Sequence, residues 1–255
     1  MKLTAVSQAL DLLAPLRYAE KWDNVGLLVG DPDADVKRVL VCVDYTRAVA
    51  DEGEADLVVA YHPPMFAAVK RVPHGALWAE AVRKGIGLYS PHTALDVAAE
   101  GTNDFLADAC GMAERTAIRR FSPDEPETIG LGRIGPVPPT TLGALAARLK
   151  PLLGLGYVLV AGKADLPVTR VAVAAGAGGE LLGDALRAGA DAFLTGELRH
   201  HDALGAVAKG RGILATMHSN SERAAVRAYA ERIAKALPDV TVRFSDADAD
   251  PFVLA

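Results

Sequence analysis

Apolar and polar positions alternate along this chain in two distinct ways. At the N-terminus, Leu3, Val6, Leu10 and Leu13 fall at helical spacing and predict an amphipathic helix over residues 4–16. Further on come short strand-like stretches without alternation: a near-continuous apolar one over 36–43, another over 56–61 and a third over 85–92. A run without alternation suits a strand buried on both faces, as in a parallel sheet. Helical patterns separate these runs, at 48–54, at 77–84, and from Asp96 or Gly101 to Cys110. Residues 121–139 are rich in Pro and Gly and read as strand and loop, after which Thr140–Leu153 reads as a helix. A short strand over Tyr157–Ala161, a last helix over Asn220–Leu237 and a last strand over Val240–Phe244 complete the pattern.

The pattern repeats. Lys37-Arg-Val-Leu-Val41 is echoed by Thr169-Arg-Val-Ala-Val173 at an offset of 132 residues. Glu54-Ala-Asp56 and its strand are echoed by Gly189-Ala-Asp191 and its strand at an offset of 135. Gly85-Ile-Gly-Leu-Tyr-Ser-Pro-His92 is echoed by Gly210 to His218, the glycines at 125 and the histidines at 126. The repeats predict an internally duplicated strand–helix–strand–helix–strand unit. The expected fold class is α/β, with two similar lobes, each a mixed sheet flanked by helices. The expected division is residues 1–120 with 212–255 for the first lobe and 121–211 for the second.

Composition narrows the function. Of 255 residues, 51% are hydrophobic and 23% charged, enough for a sizeable core and too apolar for disorder. The formal net charge of −5, with no basic stripe, speaks against a nucleic-acid binder. Arg119-Arg120 reads as a solvated pair. No run approaches a membrane span, and the N-terminus does not read as a signal peptide. Cys42 and Cys110 form no metal-binding or redox spacing, and Cys42 reads as a buried strand residue, so a reducing, cytoplasmic setting is expected.

The chemistry gathers on histidines. His92 is followed by Asp96 and His218 by Glu222, each at i+4 and so on one face of a helix. An imidazole and a carboxylate so placed can chelate a metal, or a carboxylate can simply complement a helix N-terminus. His62 follows the run 56–61 and precedes two prolines that hold it extended. It therefore sits at the carboxyl end of a strand, where open α/β sheets bind ligands. His200 and His201 read equally as ligands, as a pair gripping substrate, or as helix-starting groups. His74 reads as an exposed turn residue. Trp22 reads as a core plug and Asp23 and Asn24 as turn residues. Gly176, Gly178 and Gly179 follow a strand without completing a dinucleotide fingerprint, and read as a tight turn with close backbone approach.

In order along the chain stand Lys21-Trp-Asp-Asn-Val-Gly-Leu27, Tyr61-His-Pro63, Ser90-Pro-His-Thr-Ala-Leu-Asp96, Asn103-Asp104, Gly176-Ala-Gly178, Leu194-Thr-Gly-Glu197 with His200-His201, and His218-Ser-Asn-Ser-Glu222. Together they resemble the Nif-three-like dinuclear metal-centre family, often labelled homologues of type-two GTP cyclohydrolase I. The resemblance implies a two-lobed α/β protein assembled as a ring-shaped homohexamer. It implies one metal held at Tyr61, Asp96 and Glu222, and another at His62, His218 and Glu222. Tyr61 departs from the family's usual histidine, so one tight metal and a weak second are expected. His92 is expected to transfer protons, and His200 and His201 to meet substrate or the ligands. Imidazole and carboxylate donors suit Zn, Fe, Mn or Ni alike. The expected function is a metal-dependent hydrolase of a nucleotide-like or other small molecule. The competing expectation is a non-catalytic metal-binding ring with a storage or scaffolding role.

Overall fold

The computed structural model describes residues 1–253 as a mixed α/β protein. Its strands are β1 (Gly26–Val29), β2 (Arg38–Cys42), β3 (Leu57–Ala60), β4 (Gly87–Ser90), β5 (Arg119–Arg120), β6 (Gly130–Leu131), β7 (Arg133–Thr141), β8 (Leu159–Ala161), β9 (Pro167–Ala174), β10 (Ala192–Thr195), β11 (Gly212–Ala215) and β12 (Thr241–Phe244). Its helices are α1 (Leu3–Leu13), α2 (Arg47–Asp51), α3 (Leu77–Lys84), α4 (His92–Val97), α5 (Thr102–Ala109), α6 (Leu142–Leu153), α7 (Leu182–Arg187), α8 (His200–Ala208) and α9 (Arg223–Ala236). Two compact units divide the chain: Met1–Leu95 with everything from Val226 on, and Asp96–Ala225.

In the first unit the sheet runs β1-β4-β3-β2-β12. β12, β2, β3 and β4 are parallel, and β1 closes one edge antiparallel to β4. Val39, Val41, Leu57 and Val59 pack with Leu3, Val6 and Leu10 of α1 and with Val226, Tyr229 and Ile233 of α9. The opposite side chains, Leu40, Cys42, Val58 and Ala60, pack with Val49 of α2 and Ala81 of α3. Both faces are covered, which is why the strands read as unbroken apolar runs. Each fully buried Val or Leu side chain is worth about 1.5–3 kcal/mol.

The second unit's sheet runs β7-β9-β10-β11-β8, with β9, β10 and β11 parallel and both edges antiparallel. Val171, Val173, Ala192, Leu194 and Leu214 pack with Leu106 of α5 and Leu142, Leu145 and Leu149 of α6. Ala172, Ala174, Phe193 and Ile213 pack with Leu182 and Ala185 of α7 and Ala206 of α8. The prolines at 136, 138 and 139 fall on β7, an edge strand, where the pairing with β9 shifts between Pro136 and Thr140. An edge tolerates the missing N–H donors. The fully buried Arg133 gives Nε to Asp104 at 2.7 Å and its other nitrogens to the carbonyls of Val97, Ala98, Gly130 and Gly132. That fan of bonds ties the end of α4 to β7.

The two units share their wiring. Val39 pairs with Leu57 and Leu57 with Gly87 in the first; Val171 pairs with Ala192 and Ala192 with Gly212 in the second. The offsets are those of the sequence echo. Asp56 Oδ2 accepts the N–H groups of Lys37 and Arg38, each at 2.9 Å; Asp191 Oδ2 accepts those of Thr169 and Arg170, each at 3.0 Å. The Asp56 carbonyl accepts from Gly87 N at 2.9 Å and the Asp191 carbonyl from Gly212 N at 2.9 Å. The correspondence between the units also reaches further than the strand–helix–strand–helix–strand unit read from sequence. A Cβ on Gly87 would approach Leu3 of α1, and one on Gly212 would strike Leu142 of α6, so both helices cross their sheets at a glycine. β1 beside β4 corresponds to β8 beside β11.

Several boundaries differ from the sequence reading. Division falls at residues 95/96 and 225/226, not near 120 and 211, because α5 packs with the second core and β11 pairs with β10 and β8. Of the two starts read for the helix ending at Cys110, the later holds: α5 is flanked by Gly101 and Cys110, and a separate α4 precedes it across Glu100, whose φ is +55°. The first helix starts at Leu3 and stops at Leu13, before Pro15. The last opens as a 3-10 turn over Ser219–Ser221 before α9.

Burial would raise the carboxyls of Asp56 and Asp191, but their hydrogen bonds from strand N–H groups, from Arg38 to the first and from Thr169 to the second, hold both below the ordinary carboxylate range. A lowered native pKa stabilises the fold above the unfolded value of about 3.9, and that contribution is lost as pH falls through the native value. We expect Asp56→Ala and Asp191→Ala each to lose about 1–3 kcal/mol in urea unfolding near pH 7. The gap to the parent should narrow as pH drops below about 3.9. A gap that stays constant with pH would contradict this account.

Candidate metal centre

In the first unit the polar chemistry gathers at the carboxyl ends of β2, β3 and β4. Pairing continues past β3, with Tyr61 N donating to the Cys42 carbonyl at 2.9 Å and His62 N to that of Val43 at 3.0 Å. Side chains therefore alternate. Tyr61 turns into the core and is 1% exposed, and His62 turns the other way. His62 Nδ1 meets Asp44 Oδ1 at 2.9 Å. Asp248 Oδ2 accepts from the N–H groups of Val43 at 2.6 Å and Asp44 at 3.2 Å, fixing the turn that carries Asp44.

After β4 the chain turns sharply, and His92 opens α4 with φ of +26°, a strained value for a residue with a Cβ. His92 Nδ1 meets Asp23 Oδ1 at 2.8 Å. Asp23 Oδ2 accepts the Thr93 hydroxyl at 2.5 Å and its N–H at 3.1 Å. Burial pushes the Asp23 carboxyl up, but the bonds from His92 and Thr93 outweigh it and leave it below the ordinary range. A carboxylate only accepts, so Nδ1 carries the proton and Nε2 keeps its lone pair. Tyr61's ring lies 5.0 Å from the His62 ring and 5.5 Å from the His92 ring, bracing both.

The second unit builds a like group at the ends of β9, β10 and β11. His218 follows β11, directly after Met217, whose φ is +72°. His218 Nδ1 meets Glu197 Oε1 at 3.0 Å, and Nε2 lies 3.4 Å from Glu222 Oε1. The Glu222 side chain is 2% exposed. Gly176 governs this arrangement. Its carbonyl accepts from Gly196 N at 3.0 Å and Glu197 N at 3.1 Å, and its N–H donates to Ser221 Oγ at 2.8 Å. With φ of +61°, a Cβ there would stand 2.6 Å from Glu222 Oε1 and 3.2 Å from His218 Nε2. The glycine leaves the space in front of the two donors open.

The sequence singled out His62, His92, His218 and Glu222, and each stands at the carboxyl edge of its sheet. Asp96 lies on α4, where its carboxylate accepts the Thr102 hydroxyl and its carbonyl accepts from Asn103 Nδ2 at 3.0 Å. His200 and His201 stand exposed on the first turn of α8, their rings 5.3 Å apart. Two readings change. Trp22 is no core plug: it is 59% exposed. Asp23 is more than a turn residue, since its buried side chain orients His92. Sequence reading does not single out Asp44, and it names Glu197 only within a motif, without its role behind His218. The available signal was position alone, a carboxylate just past the end of a parallel strand.

A neutral or anionic donor set of imidazole Nε2 and buried carboxylate, in a space cleared by Gly176, fits a divalent metal. Two α/β units of like wiring, each with carboxylate-backed histidines at its sheet edge, define the class of protein to compare. The family model of DUF34/NIF3 (NGG1p interacting factor 3) matches residues 1–251, and the chain belongs to that family. NIF3-like protein 1 of Drosophila melanogaster is 34% identical, covering 99% of this chain and 89% of its own. The GTP cyclohydrolase 1 type 2 homolog of Clostridium perfringens is 30% identical, covering 99% of each. The solved structure of Staphylococcus aureus protein SA1388 superposes with a TM-score of 0.88 at 26% identity, over 100% of this chain and 99% of its own. Among the described residues no helix is long and apolar enough to cross a membrane.

Gly176→Ala places a methyl against Glu222 and His218 on a backbone that disfavours any Cβ. We expect a loss of about 1–3 kcal/mol in thermal or urea unfolding. The His218 ring protons should shift in NMR spectra. An unchanged His218 environment would show that Gly176 is not what clears the site.

Proposed function

We propose that the protein is a metal-dependent hydrolase of a small molecule, with His62, His218 and Glu222 as ligands of one tightly held divalent ion. The observation that carries this reading is the pairing of each histidine Nδ1 with a carboxylate, Asp44 for His62 and Glu197 for His218. Such pairing fixes the tautomer and turns Nε2 outward as the donor atom, as carboxylates behind metal-binding histidines do. The donor set of two histidines and a glutamate suits Zn, Fe, Mn or Ni. When bound, such an ion supplies Lewis acidity toward a water, carbonyl or phosphoryl oxygen.

His92 serves as the proton-transfer group. Asp23 holds Nδ1 protonated, so Nε2 accepts a proton and the imidazolium that forms is stabilised by the same carboxylate. Asp96 and Tyr61 belong to a second, weaker ion. That ion is the weaker because Tyr61 turns into the core, where its ring also braces His62 and His92. His200 and His201, exposed on α8, suit contacts to an anionic part of the substrate. The relatives named GTP cyclohydrolase 1 type 2 homolog make nucleotides the first substrates to try. The resemblance read from the sequence further supports a homohexameric ring, for which light scattering should give six chains per particle.

Elemental analysis after dialysis tests the ligands. We expect about one metal per chain in the parent and in Tyr61→Phe. Loss of a ligand should cost more than the 10–100-fold that second-shell changes cost, leaving His218→Ala and Glu222→Gln nearly metal-free. Full metal in either variant would refute the assignment. His92→Ala should keep its metal and lose about 10²–10⁴-fold in turnover across a panel of nucleotides. A metal-loaded parent without turnover on that panel would favour the storage or scaffolding role.

A further inference from the structure

Trp22 and Phe66 are 59% and 55% exposed, yet neither sits on a loose loop. Asn24 Nδ2 donates to the Met65 carbonyl at 2.5 Å, tying the segment that carries Trp22 to the one that carries Phe66. Asp23 N donates to the Glu20 carbonyl at 2.9 Å, and Glu20 N to the Thr93 hydroxyl at 3.0 Å, so the first segment is also pinned beside α4. The two rings stand 5.8 Å apart, tilted at 46° to one another. His92 stands 6.2 Å from Trp22 and 6.3 Å from Phe66, at 77° to both. Two large apolar rings thus stand in solvent beside a carboxylate-backed imidazole, on segments tied to each other and to α4.

We infer that Trp22 and Phe66 form the stacking subsite for a planar heteroaromatic ring of the nucleobase kind, whose edge is read by His92. This deepens the hydrolase reading by naming a substrate class for the same site. A flat heteroaromatic ring satisfies both features together: its face covers an indole or phenyl ring, and a ring N–H or amino group on its edge donates to His92 Nε2. A purely apolar protein side chain on the same rings would bury the imidazole without a partner for Nε2, at the cost of a lost hydrogen bond. Stacking is also indifferent to which base is bound, since each has a π face. Asp23 then has two duties, setting the His92 tautomer and holding the Trp22 segment against Thr93.

The test uses the full-length protein, dialysed against chelator and, separately, metal-loaded. With Trp78→Phe, Trp22 is the sole indole of the chain's two. Guanosine and adenosine should quench its emission saturably in both preparations, and ribose 5-phosphate should not. By equilibrium dialysis with labelled guanosine, Trp22→Ala and Phe66→Ala should each bind roughly 5- to 150-fold more weakly, the range alanine substitution gives at base-stacking aromatics. Both variants should keep the parent's metal content. Equal binding of ribose 5-phosphate, or parent-like affinity in both variants, would overturn the subsite. So would an indole that iodide cannot quench in the native protein, since another chain would then cover it. Because nucleoside binding is read with and without metal, loss of the metal assignment and loss of the stacking subsite are separate results.

Discussion

A neutral imidazole carries one proton, and whichever nitrogen meets an acceptor keeps it. This chain applies that rule three times, pairing Nδ1 of His62 with Asp44, of His92 with Asp23 and of His218 with Glu197. Each bond gives Nδ1 an acceptor and holds the ring against rotation. The surrounding fold supplies what those bonds require: strand ends that stop at defined residues, carboxylates one strand away, and strained turns at His92 and Met217 that aim the rings.

The sheets meet that requirement by repetition. In each unit an aspartate at the start of the middle parallel strand captures two N–H groups of its neighbour, fixing register at the strands' amino ends. With register fixed there, the carboxyl ends fall level, and His92 and His218 emerge at corresponding places. The copies diverge where chemistry differs. The position equivalent to His62 is Glu197, so the residue that offers a nitrogen in one unit offers a backing carboxylate in the other.

Much of this was legible before any coordinates. Buried parallel strands leave unbroken apolar runs, and Gly87 and Gly212 mark where α1 and α6 cross, so the duplication showed in residue offsets. His218 and Glu222 were legible because helical spacing brings i and i+4 together. Asp44, Glu197 and Asp23 were not, since they reach their histidines across 18, 21 and 69 residues, and only tertiary structure sets those contacts. Trp22 misled for a related reason: hydropathy assigns an indole to the core and carries no record of Asn24 holding it in solvent. The unit boundaries were missed because α5 and β11 choose their sheet by pairing and packing, which local pattern does not encode.

The first unit is closed by the last part of the chain. Val226, Tyr229 and Ile233 of α9 complete one face of its sheet, and β12 completes its edge beside β2. On the ribosome, strands β1 to β4 emerge long before those partners. Residues 96–225 form a continuous unit and can fold in the interval. At the usual pace of synthesis the early strands wait roughly 7–30 seconds with one apolar face covered by α1 alone and one strand edge unpaired. The inserted unit is therefore complete before its host is, and the interval in which the nascent protein is most open to aggregation is set by the insert's length.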